Sequence, residues 1–364
     1  MSKLLIMAII AIILGIFFKH SRIVSLYMCS ILWIIMGWQS GTADSYNYGV
    51  LYRSSVNIHF ISMMQSPLYN LFNYLLNKSG APFQYVYIIG SLISIIALYI
   101  AICRFTDEQN YALSLFLIST YLLYAVQIRN FMALPYILLA VDSLTEDHRS
   151  YIRFIIFILI ASGFHISAIF YIFLILIPRL NKKQTLIYTV VVSGLAYISA
   201  ESWMRIVQSG RSVEYKLFSG DVLTTLIYDL LVLIGIVLVI FEYLMIEKDI
   251  DNGQYDLKKQ FNKMDLIAKI NIFMLIMIPL QSVSIEFVRL YRNILVLDFI
   301  SCSYSIKLGF DGKIHSLIYR YQFKHLIWNI LLIFYAFVYG NLYIYRQCYE
   351  SVFLPIFSMN LLVH

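Results

Sequence analysis

Charge is scarce in this sequence. Only 13% of the 364 residues are Asp, Glu, Lys or Arg, while 61% are hydrophobic, an imbalance beyond what a soluble globular chain tolerates. The four cysteines, Cys29, Cys103, Cys302 and Cys348, are scattered and show neither CxxC nor any other metal-ligand spacing, which argues against a disulfide framework and a zinc site. Strict apolar–polar alternation is lacking as well, which excludes a transmembrane barrel. No internal repeat and no low-complexity linker interrupts the chain, so residues 1–364 are read as a single integral membrane domain.

What remains is long apolar runs. Mean hydropathy is +0.77, and stretches such as Val222–Ile246 (VLTTLIYDLLVLIGIVLVIFEYLMI) are apolar on every face. In hydrocarbon, a chain without alternation can satisfy its backbone only as helices. The expected fold class is therefore all-α, a polytopic transmembrane helical bundle of about 11–13 hydrophobic segments, some of them short or broken. The runs fall at 4–18, 23–38, 67–77, 84–103, 111–128, 130–144, 152–163, 166–178, 185–200, 222–246, 265–284, 288–306 and 325–343. Residues 67–77 are too few to span and are expected at the interface. The run 4–18 is followed by Lys19, His20 and Arg22 where a cleavage site would be needed, so it reads as a first membrane helix. Gly163-Phe164-His165 sits in the middle of the apolar stretch between Arg153 and Arg179, and a glycine beside a polar residue at that depth predicts a broken helix pair.

Positive charge orients the bundle. Lys19 and Arg22, Arg149 and Arg153, Arg179 with Lys182 and Lys183, and the groups 248–263 and 307–324 mark cytoplasmic loops. That assigns 39–66, 201–221 and the tail 344–364 to the outer face, and 247–263 to the cytoplasm. The net charge of +7 follows mostly from this bias, and nucleic acid is not needed to explain it.

The arginines break the bias. Arg53, Arg129, Arg205, Arg211, Arg289 and Arg292 fall outside or just inside the outer leaflet, and a planar guanidinium grips phosphate or carboxylate oxygens bidentately where lysine offers only a point charge. Snorkelling to lipid phosphates, or pairing with Asp44, Glu201, Glu214 and Glu286, is the plainer explanation for the isolated ones. Arg129 demands more, because it is flanked by apolar residues in AVQIRNFMALPYILLA and an arginine at that depth costs about 2.5–3.5 kcal/mol without a partner. Arg289 and Arg292 share one helical face, with Glu286 three residues before Arg289 as orienting partner or base. Asp44, Tyr48 and Tyr52 are spaced by four residues, which stacks a carboxylate and two phenols on one face, a surface suited to sugar hydroxyls and ring faces. Tyrosines at a membrane boundary also serve as belt anchors. His165 is a candidate base, since a neutral imidazole accepts a proton near pH 7; the alternative is a packed histidine bonded locally.

GTADSYNY at 41–48, IRNFMA at 128–133 and FHISAI at 164–169, in this order, resemble the EpsG-like branch of the Wzy-type polysaccharide polymerases. That family carries Gly-x-Asp followed by tyrosines, then Arg-Gln-x-x-Ala, then Phe-His-x-Ser-Ala. Here an extra residue separates Gly41-Thr42 from Asp44, and Asn130 stands where the glutamine is usual, so the carry-over rests on Arg129 and His165. The resemblance implies glycosyl transfer at the outer face of the bacterial cytoplasmic membrane. An undecaprenyl-pyrophosphate-linked glycan would be the donor, a second lipid-linked unit the acceptor and a chain-length regulator a possible partner, with no cofactor and no metal. Arg129, Arg289 and Arg292 are expected to hold the pyrophosphate and His165 or Asp44 to activate the acceptor hydroxyl, with Tyr48, Tyr52, Arg53, Arg205, Arg211 and Glu286 lining the substrate site. A ligase using the same donor, a lipid-linked glycan flippase and a membrane acyltransferase are the competing readings.

Overall fold

The computed structural model describes residues 2–42, 44–56, 66–199, 202, 222–251, 258–284, 287–310 and 316–363. They are almost entirely helical, with no strand among them. Arg205, Arg211 and Glu286 lie outside the described residues. Four helical stretches, Gln84–Phe105, Val222–Lys248, Gln260–Val283 and His325–Leu342, are long and apolar enough to cross a membrane, and shorter apolar helices accompany them. The all-α membrane bundle read from the hydrophobic runs is thus the observed architecture.

The contacts group the chain into two compact units. The first comprises Met1–Leu139, Ile156–Ile169 and Ile333–His364, and the second Ala140–Ile155 and Phe170–Leu332. The helices, in chain order, begin with α1 (Lys3–Phe17), α2 (Arg22–Gly37), α3 (Ser45–Ser54), α4 (Pro67–Lys78), α5 (Gln84–Phe105), α6 (Gln109–Ser119), α7 (Tyr121–Val126), α8 (Ile128–Asp142) and α9 (Tyr151–Phe164). A 3-10 helix over Ile166–Arg179 follows, then α10 (Lys182–Ile198), α11 (Val222–Asp251), α12 (Lys258–Phe273), α13 (Met277–Val283), α14 (Val288–Phe310), α15 (Ser316–Tyr343) and α16 (Leu354–Ser358).

In the first unit α2 packs on α1 and α5, and α1 on α6. At one end of α2, Asn110 staples the corner between α1 and α2. Its amide nitrogen donates to the carbonyls of Phe18 (2.7 Å) and Ser21 (2.9 Å), and its amide oxygen accepts from Ser25 Oγ at 2.6 Å. His20 sits beside, with Nε2 3.2 Å from Glu108 Oε1. At the other end of α2, Gln84 donates to the Gly37 carbonyl at 2.6 Å. The chain's tail closes on this same end: Asn360 Nδ2 donates to Ile34 O at 3.0 Å and the Leu361 amide to Trp38 O at 2.8 Å. Loop 38–41 and the tail therefore share one end of the unit, about 24 Å of helix away from Asn110.

The run read as one segment at 111–128 is two helices. The α-helical ladder ends at Ser119, Thr120 takes φ −113° and ψ −13°, and a new helix starts at Tyr121. Helix α15 crosses at this break, with small residues Ala336 and Gly340 buried one turn apart, the spacing that lets membrane helices approach closely. A Cβ on Gly340 would lie 2.5 and 2.6 Å from the carbonyl oxygens of Ser119 and Ile118. Backbone atoms cannot step aside as a side chain does, so Gly340→Val is expected to destabilise the protein by about 1–3 kcal/mol or more. Thermal unfolding of the purified protein checks this, and an unchanged melting temperature would contradict the close approach.

In the second unit, α10 packs on α12, and α11 on α12 and α14. Lys182 and Glu247 pair at 3.3 Å, and Lys269 and Asp265 at 2.6 Å one turn apart on α12.

Candidate functional site

Helix α8 carries Arg129 at its second position, between fully buried Ile128 and a buried Asn130. The apolar flanks bury the stem, and the guanidinium is held by aromatic rings. Its Cζ lies 5.3 Å from the ring centroid of Tyr48 and 5.8 Å from that of Tyr69. Arg129 also stands in the electrostatic reach of Tyr48 and Asp44. A desolvated cation on a tyrosine face is stabilised by about 2 kcal/mol, so two rings offset much of the burial penalty expected for this position. The partner that its depth demands is therefore this pair of rings with Asp44 behind them. The residue as a whole stays half-buried and Nε is buried without a protein partner. The cation is thus anchored yet retains hydrogen-bonding capacity.

Three helices supply the rest of the cluster around Arg129. Helix α3 follows Asp44, and its four-residue spacing turns Tyr48 and Tyr52 inward, both nearly inaccessible, while Arg53 is exposed. Tyr52 donates its hydroxyl to the Ala81 carbonyl, and Asn77 Nδ2 donates to Tyr52 O at 2.8 Å; these two bonds fix α3 against the α4–α5 connection. Helix α4 brings Tyr69 to 6.0 Å from Tyr48, ring to ring, in an edge-on contact. Phe83 continues the aromatic wall to Tyr52 (5.7 Å) and Tyr87 (5.4 Å). Gln39 donates from Nε2 to Ala125 O at 3.0 Å.

The polar groups on this wall are poorly satisfied by the protein. Asn73 lies next to the Tyr69 hydroxyl and Gln39 next to that of Tyr87, but none of these pairs reaches hydrogen-bonding geometry. Gln39 Oε1, Thr42 Oγ1, Tyr69 OH, both amide atoms of Asn73, Tyr87 OH and Arg129 Nε are all buried without a protein partner. Each such group costs about 1–3 kcal/mol when left unmet, and their concentration near one arginine makes this cluster the candidate site.

His165 lies where the helix breaks. Helix α9 ends at Phe164 and the chain winds as a 3-10 helix from Ile166, the broken pair that Gly163-Phe164-His165 predicts. The break is reinforced by packing: a Cβ on Gly163 would lie 2.6 Å from Leu68 Cγ, and Phe164 stacks on Tyr136 of α8 at 5.6 Å. His165 itself is 8% exposed. The segment is thus docked on α4 and α8, the two helices that carry Tyr69 and Arg129, and Leu68 adjoins Tyr69 in the chain.

Arg289 and Arg292 belong to the second unit, where they stand one turn apart on α14; Arg289 is half-buried and Arg292 fully buried. The same helix carries a feature that the sequence reading passed over. Asp298 is buried and accepts from Asn271 Nδ2 at 2.7 Å and from the Tyr291 hydroxyl at 3.4 Å, and Ser301 Oγ donates to Glu242 at 3.1 Å. Single acidic residues inside long apolar runs were the available signal for Asp298 and Glu242. In the first unit the overlooked residues are Gln39, Tyr69, Asn73 and Tyr87. Asn73 was legible in principle, since it shares the polar face of α4 with Tyr69, Asn70 and Asn77, whereas Tyr87 is indistinguishable from a belt tyrosine without its neighbours.

The model of the EpsG family matches residues 22–356, nearly the whole chain. No curated protein and no solved structure matches it.

Proposed function

The chain belongs to the EpsG family, and on that premise we propose that it is a membrane glycosyltransferase that polymerises a surface polysaccharide. The substrates in this reading are undecaprenyl-pyrophosphate-linked repeat units at the outer face of the cytoplasmic membrane. A sugar hydroxyl of the acceptor attacks the anomeric carbon of the donor, the bond from that carbon to the pyrophosphate oxygen breaks, and lipid pyrophosphate leaves with the electron pair. The hydroxyl proton passes to a base.

The observation that carries this reading is the seating of Arg129 in a chain of this family. A guanidinium held against two adjoining tyrosine rings, with buried hydrogen-bonding capacity left over, is preorganised for the charge that develops on a departing pyrophosphate. Asp44 orients it electrostatically. His165, at a helix break docked on the same two helices, takes the proton. The outer-face assignment is supported by the lysine distribution, which puts loop 38–41 and the tail on the side away from Lys19.

Deletion of the gene tests the proposal. The expected result is loss of surface polysaccharide with single repeat units remaining on the lipid carrier, reversed by the wild-type gene. Accumulation of full-length polymer on the lipid would instead make the protein a ligase, and normal polymer would remove it from this step altogether.

A further inference from the structure

The neutral part of the cluster is not explained by a phosphate ligand. Arg129 is its cation among the residues named above, and the unmet groups beyond it are phenols, amides and the Thr42 hydroxyl. Tyr69 joins the two halves. Its ring lies under the Arg129 guanidinium at 5.8 Å, and its hydroxyl lies beside Asn73. On the next helix, one turn beyond Phe83, Tyr87 repeats the arrangement with Gln39. Each pair combines a phenol, which both donates and accepts, with an amide that is at least partly unmet. Asn73 is completely buried with both amide atoms unpartnered. Tyrosine rings flanking such groups offer apolar faces against which the C–H side of a pyranose packs.

Resting on the functional reading above, we infer that Gln39, Tyr69, Asn73 and Tyr87 form the sugar subsite of the donor, reading hydroxyls of the residue joined directly to the pyrophosphate. The adjacency to Arg129 dictates that choice, because only the first sugar lies one bond from the group that the arginine holds. Neutral, paired donors and acceptors suit a polyhydroxyl ligand; an anionic one would call for more cations, and an acyl chain would leave every one of these atoms unmet. Asn73 and Tyr87 are specificity-determining residues in this assignment.

The experiment measures binding to the full-length protein in lipid nanodiscs with two probes. One is the lipid-linked oligosaccharide extracted from cells in which the gene is deleted, and the other is undecaprenyl pyrophosphate without sugar. Wild-type protein is expected to bind the glycolipid more tightly. Tyr87→Phe, which removes one oxygen atom and keeps the ring, should weaken glycolipid binding about tenfold and leave the bare lipid pyrophosphate within about twofold. Asn73→Leu should show the same selective loss, more strongly, and its melting temperature separates misfolding from lost recognition. Equal effects on both probes, or none, would overturn the subsite while leaving the polymerase reading intact. Wild-type protein that binds neither probe, in a strain that accumulates no lipid-linked units, would sink the polymerase reading and the subsite with it.

Discussion

Arg129→Lys is expected to lower polymerisation by about two to three orders of magnitude, the loss seen when one preorganised donor to a developing oxyanion is removed. The protein should stay folded and inserted. Lysine keeps the positive charge, and its ammonium still lies near the faces of Tyr48 and Tyr69, so the cation is not left without partners. What disappears is the planar fork. A guanidinium held against the rings of Tyr48 and Tyr69, 5.3 and 5.8 Å away, keeps its planar fork of N–H groups, with which two phosphate oxygens can be met at once. An ammonium on a flexible stem cannot hold that plane. The assay is chain length, resolved on a gel, for purified variant and wild type given the same lipid-linked units, with the melting temperature measured alongside. Wild-type polymer from the variant would mean that Arg129 is a structural cation held by its tyrosines, and the chemistry would have to be sought elsewhere.

Arg129 was legible in the sequence because its depth made it costly. An arginine in AVQIRNFMALPYILLA announces a buried charge, and a buried charge must have partners. Which partners was half legible: the four-residue spacing of Asp44, Tyr48 and Tyr52 put them on one face, and two of the three, Asp44 and Tyr48, interact with Arg129. Tyr52 shares that face, but its hydroxyl is spent on Ala81, a contact that depends on the turn before α5 and is invisible in residue spacing. Tyr69 was not foreseen, because α4 reads as a short interfacial piece until its inner face is seen packed under Arg129. The break at Gly163-Phe164-His165 was legible, since a glycine and an imidazole in an apolar run both argue against a continuous helix. The break at Thr120 was not. Ser119 and Thr120 are ordinary inside an apolar run, and the helix that approaches there, at Gly340, lies more than two hundred residues away in the chain. Local signals therefore reveal where a membrane chain bears an unusual cost, while long-range packing decides which neighbours offset it.

His165→Ala should lose roughly two to four orders of magnitude in transfer rate with little change in donor binding, if the imidazole takes the acceptor's proton. The base works in its unprotonated form. Wild-type activity should accordingly fall on acidification, and the fall should be absent from the residual activity of the alanine variant. The structure makes the competing explanation concrete. His165 stands between an α-helix and a 3-10 helix, with its backbone already engaged: its amide donates to Ala161 O at 2.8 Å and its carbonyl accepts from Ala168 N at 2.9 Å. The main chain of the break thus does not depend on the imidazole, so His165→Ala removes a side chain without dissolving the turn. His165→Asn then separates the two roles, since an amide can replace a local hydrogen bond of the ring but cannot carry a proton away from a hydroxyl. A general base predicts an Asn variant as poor as the alanine one. An Asn variant with near wild-type polymer and the wild-type pH profile would assign His165 to the helix break alone and move the proton to Asp44.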